Sequence, residues 1–262
     1  MMTVAPLLLA VPLVLIACGG GSNSVKVDPL AYVKHSAQKT AGLPSEHLVM
    51  TGLATAAGVD ISLRASGDFA NKPDRGSLAA SFSAPGLSAK LREVVVGRWF
   101  YASSAYLYSR LPAGKTWVKI DLAKPGRVKG MNYLGLSSQT PEQALGTLEE
   151  AGTVTKVGAE TIDGTRTTHF RVEHLDVSKL PDDGRLGALG SATYGPIDVW
   201  IGNADDYVYR ETTPFSVSIR GVKVAASMTT DFSKFGEAVH VTVPRASETV
   251  EMTSKDLKGV ER

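Results

Sequence analysis

Histidines, acidic pairs and serines are the side chains of this chain that could do chemistry, and the spacing of each group limits what that chemistry can be. His169 and His174, in His169-Phe170-Arg171-Val172-Glu173-His174, look at first like a metal pair. Side chains alternate along a strand, so two residues five apart point to opposite faces and cannot hold one ion. On that reading His169, Arg171 and Glu173 form a solvated polar face, and Phe170 and Val172 a buried one. Asp182-Asp183 and Asp205-Asp206 lack the spacing of a calcium loop and read as turn residues. No G-x-S-x-G elbow, P-loop or H-E-x-x-H is present. The expectation is a protein that is not an enzyme, with no catalytic residues, no metal and no cofactor; a hydrolase without a recognised motif is the remaining enzymatic alternative.

The other reactive group is the thiol of Cys18, the only cysteine. It closes the run Val4 to Ala17, which is apolar apart from Pro6 and Pro12, and it precedes Gly19-Gly20-Gly21-Ser22-Asn23-Ser24. The run is shorter than the roughly 20 apolar residues of a membrane span, so it reads as a secretory leader. Leu15-Ile16-Ala17-Cys18 resembles the lipobox of bacterial lipoproteins, which implies cleavage before Cys18 and a thioether to acyl chains such as palmitate. The first residues, Met1-Met2-Thr3, carry no lysine or arginine, unlike an ordinary leader. The expected organisation is a signal peptide over residues 1–17, a lipidated cysteine and flexible tether over 18–27, and a single domain over 28–262.

Charge adds exclusions. Lysine and arginine number 28 against 26 acidic residues, a net charge of +2, and no basic cluster or aromatic-interleaved basic stripe occurs. Nucleic acid is therefore not an expected partner. One cysteine allows no internal disulfide, so stability must come from a hydrophobic core.

The elements that would position these groups can be read in order. Asp28-Pro29 gives an N-cap and a first-turn proline, Leu30, Val33, Ala37 and Ala41 follow at helical spacing, and Gly42 ends a helix over about 29–41. β-rich runs then predict strands near 47–55, 59–69, 76–83, 88–96, 98–102, 105–111 and 117–121. After a loop over 124–138, Thr140-Pro141-Glu142-Gln143 opens a second helix over about 141–151. Asp163-Gly164 lies between β-rich runs at 154–162 and 165–176, a strong hairpin signal. Strands near 196–202, 206–212, 215–219, 222–232 and 238–243 complete the chain, with a loop over 181–193. This pattern lacks alternating βαβ units and predicts an α+β fold, a large curved antiparallel sheet of about eleven strands with helices on one face. A hollow between sheet and helices would be a ligand site. The aromatic group Trp99, Phe100, Tyr101, Tyr106, Tyr108 and Trp117 fits either a filled core or a cavity wall, because both use the same residue types.

Several segments resemble the LolA-like actinobacterial lipoproteins of the LppX, LprA, LprF and LprG group. They are Glu93-Val94-Val95-Val96-Gly97 with the aromatic strand after it, Trp117-Val118-Lys119-Ile120-Asp121, Thr140-Pro141, and Val157 through Phe170. Asp198-Val199-Trp200-Ile201 and Asp231-Phe232-Ser233-Lys234-Phe235-Gly236-Glu237-Ala238-Val239-His240-Val241 follow in the same order. The turn Gly202-Asn203-Ala204-Asp205-Asp206 is longer than the family pattern. The resemblance implies a half-barrel with helices over its concave face, which holds lipids or lipidated glycans and moves them across the envelope, and it carries no catalytic residues.

Strand alternation selects the inward residues. Phe170 and Val172 oppose His169, Arg171 and Glu173, and Val118 and Ile120 oppose Lys119 and Asp121. Val224, Ala226, Met228 and Phe232 share one parity, and Phe82, Leu91, Phe100, Leu107, Val199 and Ile201 complete the expected cavity wall. The functional expectation is a lipid-anchored protein on the extracytoplasmic face of the cell membrane. Its partners would be a lipid or glycolipid ligand, the membrane through the anchor, and an envelope transporter or acceptor protein. The alternative is an anchored sensory or interaction module that carries no cargo.

Overall fold

The computed structural model describes residues 28–71, 74–108, 110–123, 152–173, 193–219 and 221–252. Helix α1 (Pro29–Ala41) forms as its caps dictate: the Asp28 side chain accepts a hydrogen bond from the Leu30 amide at 3.2 Å, and Gly42 follows the last turn. Its buried face is Val33, Ser36, Ala37 and Thr40. Strands β1 (Ser45–Ala56), β2 (Val59–Asn71), β3 (Asp74–Ala84), β4 (Leu87–Val96) and β5 (Trp99–Ser104) then run as an antiparallel meander. A helical turn α2 (Ala105–Tyr108) and β6 (Trp117–Asp121) end this half. The second half holds β7 (Thr153–Ile162), β8 (Thr165–Glu173), the short β9 (Thr193–Tyr194), β10 (Ile197–Gly202), β11 (Val208–Ile219), β12 (Val222–Ser233) and β13 (Thr249–Glu251).

The thirteen strands among the described residues form one open, curved sheet in the order β13-β6-β5-β4-β3-β2-β1-β12-β11-β10-β8-β7, with β9 added beside β11. The two halves meet where β1 pairs β12, from His47 opposite Ser233 to Ala56 opposite Val224. The result is the sheet-dominated α+β architecture expected from the β-rich runs. The hairpin at Asp163-Gly164 has positive φ at both central residues, 47° and 85°, as its sequence demands.

Several elements differ from expectation, each for a physical reason. In place of the strand expected over 105–111, residues 105–108 are helical: the Ser104 hydroxyl accepts from the Leu107 amide at 3.4 Å and starts the helical turn α2, which buries Leu107. The runs at 206–212 and 215–219 are one strand, β11, which passes straight through Pro214. The proline carbonyl accepts from the Gly195 amide at 2.8 Å, so its missing N–H faces the same side, beyond the end of β10. Residues 238–243 make no ladder; they belong to an extended strap that leaves β12, crosses the outer face of the first-half strands, and ends in a 3-10 turn (Ala246–Glu248) before β13 pairs β6 in parallel. The apolar alternation there serves packing: Val241 covers a small outer cluster of Val94, Tyr101 and Trp117. The short β9 and β13 were not anticipated and raise the strand count from about eleven to thirteen among the described residues. The helix expected over 141–151, the loop over 124–138, most of the loop over 181–193, and His174 lie outside those residues.

Gly76 shows how closely the inner side is packed. It stands directly opposite Phe69 across β2 and β3, and a Cβ on it would lie 2.4 Å from the Phe69 ring. Phe69 is buried, so the ring has no free space to yield. Gly76→Ala is expected to lower unfolding stability by about 1–3 kcal/mol through overpacking, whereas Gly158→Ala, where a Cβ meets nothing within 4 Å, should not. Urea denaturation followed by circular dichroism measures both.

Candidate ligand site on the inner face

The register assembles the inner face row by row. Phe100 pairs Ile120 and Ala102 pairs Val118 at one end of the sheet. In the middle, Leu91, Ala80, Ala65 and Met50 align across β4, β3, β2 and β1, and Phe82, Leu63, Gly52 and Met228 align in the next row but one. At the other end Phe170 pairs Val199 and Val172 pairs Ile197. The twelve residues expected to line the cavity all fall into one apolar cluster. Leu91, Phe100, Leu107, Val118, Phe170, Val172, Val199, Ile201 and Phe232 are buried in it, while Phe82, Ile120 and Met228 are partly buried against it. The aromatic group does not act as one unit. Phe100 faces inward, Trp99, Tyr101 and Trp117 face outward under the strap, and Tyr106 and Tyr108 are exposed on α2, with the Tyr108 hydroxyl 3.1 Å from that of Ser103.

Helix α1 is held against this face by polar ties as well as by Val33 and Ala37. The Tyr32 hydroxyl donates to Asp206 at 2.7 Å, and its ring lies 5.5 Å from that of Phe170. Burial together with that bond raises the phenol's pKa above its ordinary value. The Thr40 hydroxyl accepts from the Val208 amide at 2.9 Å and donates to the Ser36 carbonyl at 2.7 Å. The Asp205-Asp206 pair is turn chemistry, as expected, with Asp205 accepting from the Tyr207 amide and the Tyr209 hydroxyl. Asp206 adds the docking of α1, through Tyr32 and through Lys39 at 3.5 Å. Among the described residues no group of three His, Cys, Asp or Glu side chains is placed to hold a metal ion.

His169 departs from the solvated polar face read in the sequence. It is only 6% exposed, stacked on Trp200 with ring centroids 4.3 Å apart. Its Nδ1 lies 2.9 Å from Glu160 and its Nε2 lies 2.8 Å from Asp198, while Glu160 also accepts from the Trp200 indole. Burial pushes the Asp198 carboxyl up, but hydrogen bonds from Arg171 and His169 outweigh this and hold it below the usual carboxylate range. The cluster is thus a closed polar patch on the outer face of β7, β8 and β10. Glu173 is half-buried, and Arg171 is the exposed member.

Three glutamates on the inner face were not anticipated. Glu46 pairs Phe69, Glu93 pairs Leu78, and Glu211 pairs Val199, so each shares the apolar parity, and all three are buried. Neither carboxyl oxygen of Glu46 has a hydrogen-bond partner among the described residues, and Glu211 has only the Thr213 hydroxyl at 2.7 Å. Burial pushes both carboxyls up, to about 7. The signal was present in Glu46, Leu48 and Met50, which alternate with His47 and Val49, but it required β1 to start at Ser45 and not at His47. Chemically, the face is an apolar wall in which the Glu46 and Glu211 carboxyls, when protonated, can donate to, or accept from, an ester or hydroxyl group.

The described residues therefore define an open curved sheet with a one-sided apolar face and a helix packed on it. No family model matches the chain. It is 26% identical over 253 residues to an uncharacterized 31.2 kDa protein of the rplA–rplJ intergenic region of Streptomyces griseus, covering 86% of this chain and 80% of that protein. It is 29% identical over 110 residues to a protein described as a lipoprotein in Streptomyces coelicolor, covering 40% of this chain and 33% of that one. Among solved structures, the lipoprotein LppX of Mycobacterium tuberculosis aligns at 19% identity with a TM-score of 0.47, over 81% of this chain and 97% of LppX. LprF of Mycobacterium bovis aligns at 16% identity with a TM-score of 0.47, over 82% of this chain and 96% of LprF. The chain is similar to the LppX and LprF lipoproteins, the group that its sequence segments resemble.

The buried glutamates give the fold a pH dependence of definite sign. Their folded pKa lies above the ordinary value of 4.5, so the folded state binds protons more tightly than the unfolded chain. Their contribution is fully present below about pH 4.5 and is lost as pH rises through about 7. For Glu46 alone the loss is at most roughly 3 kcal/mol. Glu46→Gln, which keeps the shape and removes the charge, is expected to be more stable than the parent at pH 8 and to flatten the fall in stability between pH 5 and 8. Urea midpoints at the two pH values check this.

Proposed function

We propose that this chain is a membrane-anchored lipoprotein of the extracytoplasmic face of the cell membrane, which binds a lipid or lipidated glycan and carries it across the envelope. The observation that carries this reading is the inner face: one apolar surface running from Ile120 through Phe82 and Met228 to Phe170, with α1 packed on it. Acyl chains would lie between sheet and helices, in a half-barrel whose concave side is that face. Each methylene removed from water would contribute about 0.8 kcal/mol, so acyl chains alone supply ample affinity. Glu46 and Glu211, uncharged below about pH 7, would meet ester or hydroxyl groups without the cost of a buried charge.

The anchor in this reading is Cys18, with residues 1–17 as a cleaved leader, 18–27 as the tether and 28–262 as the single domain. Two or more acyl chains on one cysteine hold a protein at a bilayer far more firmly than one. The descriptions of LppX, LprF and the Streptomyces coelicolor relative as lipoproteins agree with it. Transfer would deliver cargo to an envelope transporter or acceptor protein.

Organic extraction of the purified protein followed by mass spectrometry is expected to release non-covalent lipid in proportion to protein. Met228→Trp, which fills space at a partly buried wall position, should reduce the yield several-fold while leaving the circular dichroism spectrum intact. Protein that emerged empty from repeated preparations would overturn the cargo reading and favour an anchored interaction module.

A further inference from the structure

The hairpins β1–β2, β3–β4 and β11–β12 all turn at one end of the sheet, and their six strands are adjacent in it. Ala56 lies opposite both Val59 and Val224, and Ala84 lies opposite Leu87, so the three tips stand side by side on one rim. Each tip carries an exposed apolar side chain: Val59 is 43% exposed, Leu87 63% and Val222 42%. Leu53, just behind them, is 70% exposed.

Val59, Leu87 and Val222 have the parity of the inner face. On β2 the apolar ladder continues through Ile61 and Leu63, and on β12 through Val224 and Ala226 to Met228. A core that ended inside the protein would be sealed by polar residues at its margin, but here the apolar face runs out to the tips. Isolated exposed apolar residues are ordinary, whereas a contiguous set on one edge marks an interaction surface.

The outer side of the same rim identifies what covers it. Leu53 faces outward, and Arg64 and Lys90 lie on that face about 7 Å further back, two residues behind it in the register. Lys223 faces outward beside the Val222 tip. None of these three cations has an ion-pair partner among the described residues. Asp60, the acid near the tip, already accepts from the Thr55 hydroxyl at 2.8 Å. Apolar tips ahead of unpaired cations match the cross-section of an anionic bilayer, where apolar groups enter about 5–10 Å and cations meet the headgroups.

We propose that this rim docks onto membrane surfaces containing anionic lipid, with Val59, Leu87, Val222 and Leu53 entering the headgroup–acyl boundary and Arg64, Lys90 and Lys223 contacting the headgroups. Docking there sets the open margin of the inner face against the bilayer. The contact does not require that the protein carry cargo, since the rim is exposed in either case.

The test uses the full chain reconstituted in phosphatidylcholine–phosphatidylglycerol vesicles with brominated acyl chains, which quench tryptophan fluorescence on contact. Leu53→Trp is the probe, because it faces away from the inner face and lipid held as cargo does not reach it. Quenching is expected to exceed that of the parent about twofold at the depth of an interfacial contact. The excess should vanish in pure phosphatidylcholine and in a variant combining Arg64→Gln, Lys90→Gln and Lys223→Gln. Val157→Trp, an exposed site on β7 away from the rim, should show no excess. Equal quenching at Val157→Trp, no excess at Leu53→Trp in a protein folded by circular dichroism, or self-association of the chain in place of quenching would overturn the proposal. Persistence of the excess in pure phosphatidylcholine would overturn the role assigned to the cations. Lipid extraction of the same samples reads cargo independently, so failure of the rim and failure of the cargo reading are distinguishable.

Discussion

The pairing of β1 with β12 joins six strands from the first half of the chain to the strands of the second, across the longest separation in sequence. Every row of the inner face depends on it. Leu48 meets Phe232 and Gly52 meets Met228 only in this register, and a slip by one residue would turn the outward set His47, Val49 and Thr51 inward. The same joint places α1, which enters β1 through Leu43 and Pro44 and ties back to β11 through Thr40 and Val208. Its end is fixed by the Gly236 amide donating to the Ser45 carbonyl at 2.9 Å. Sheet continuity, helix position and the extent of the apolar face are thus consequences of one ladder.

That ladder divides the charged residues into two populations with different physics. On the outer face carboxylates meet cations, as half-buried Asp231 does with Arg210 and buried Asp121 with the exposed Arg98. On the inner face Glu46 and Glu211 meet no cation among the described residues, and burial raises both carboxyls to about 7, so each holds its proton well above the usual carboxylate range. An apolar wall can carry such groups without becoming charged, which keeps hydrogen-bonding capacity inside a hydrophobic surface.

What the sequence made legible was local or strictly periodic. The caps of α1 and the Asp163-Gly164 turn are chosen by backbone chemistry within a few residues, and the inward parity of strand residues such as Phe170, Val172, Val118 and Ile120 follows from alternation with period two. Long-range features escaped. Residues 238–243 alternate like a strand, yet no neighbour offers them a ladder, because the sheet edge they reach is β6 and they pair only from Thr249 onward. Pro214 looked like a strand end, and only the position of β10 and β9 shows why β11 continues through it. His169 looked solvated because a single strand cannot reveal that Trp200, on a neighbouring strand, covers it.

The outer strap has a mechanical meaning. Between Ser233 and Thr249 the chain passes from the middle of the sheet to its β13 edge, seven strand spacings or roughly 34 Å along the sheet. Its fifteen intervening residues reach at most about 50 Å. A path over the outside lengthens as the sheet curls more tightly and shortens as it flattens. The strap's reach exceeds the distance along the sheet, so it ties the middle of the sheet to its far edge over the outer face without being stretched taut across it.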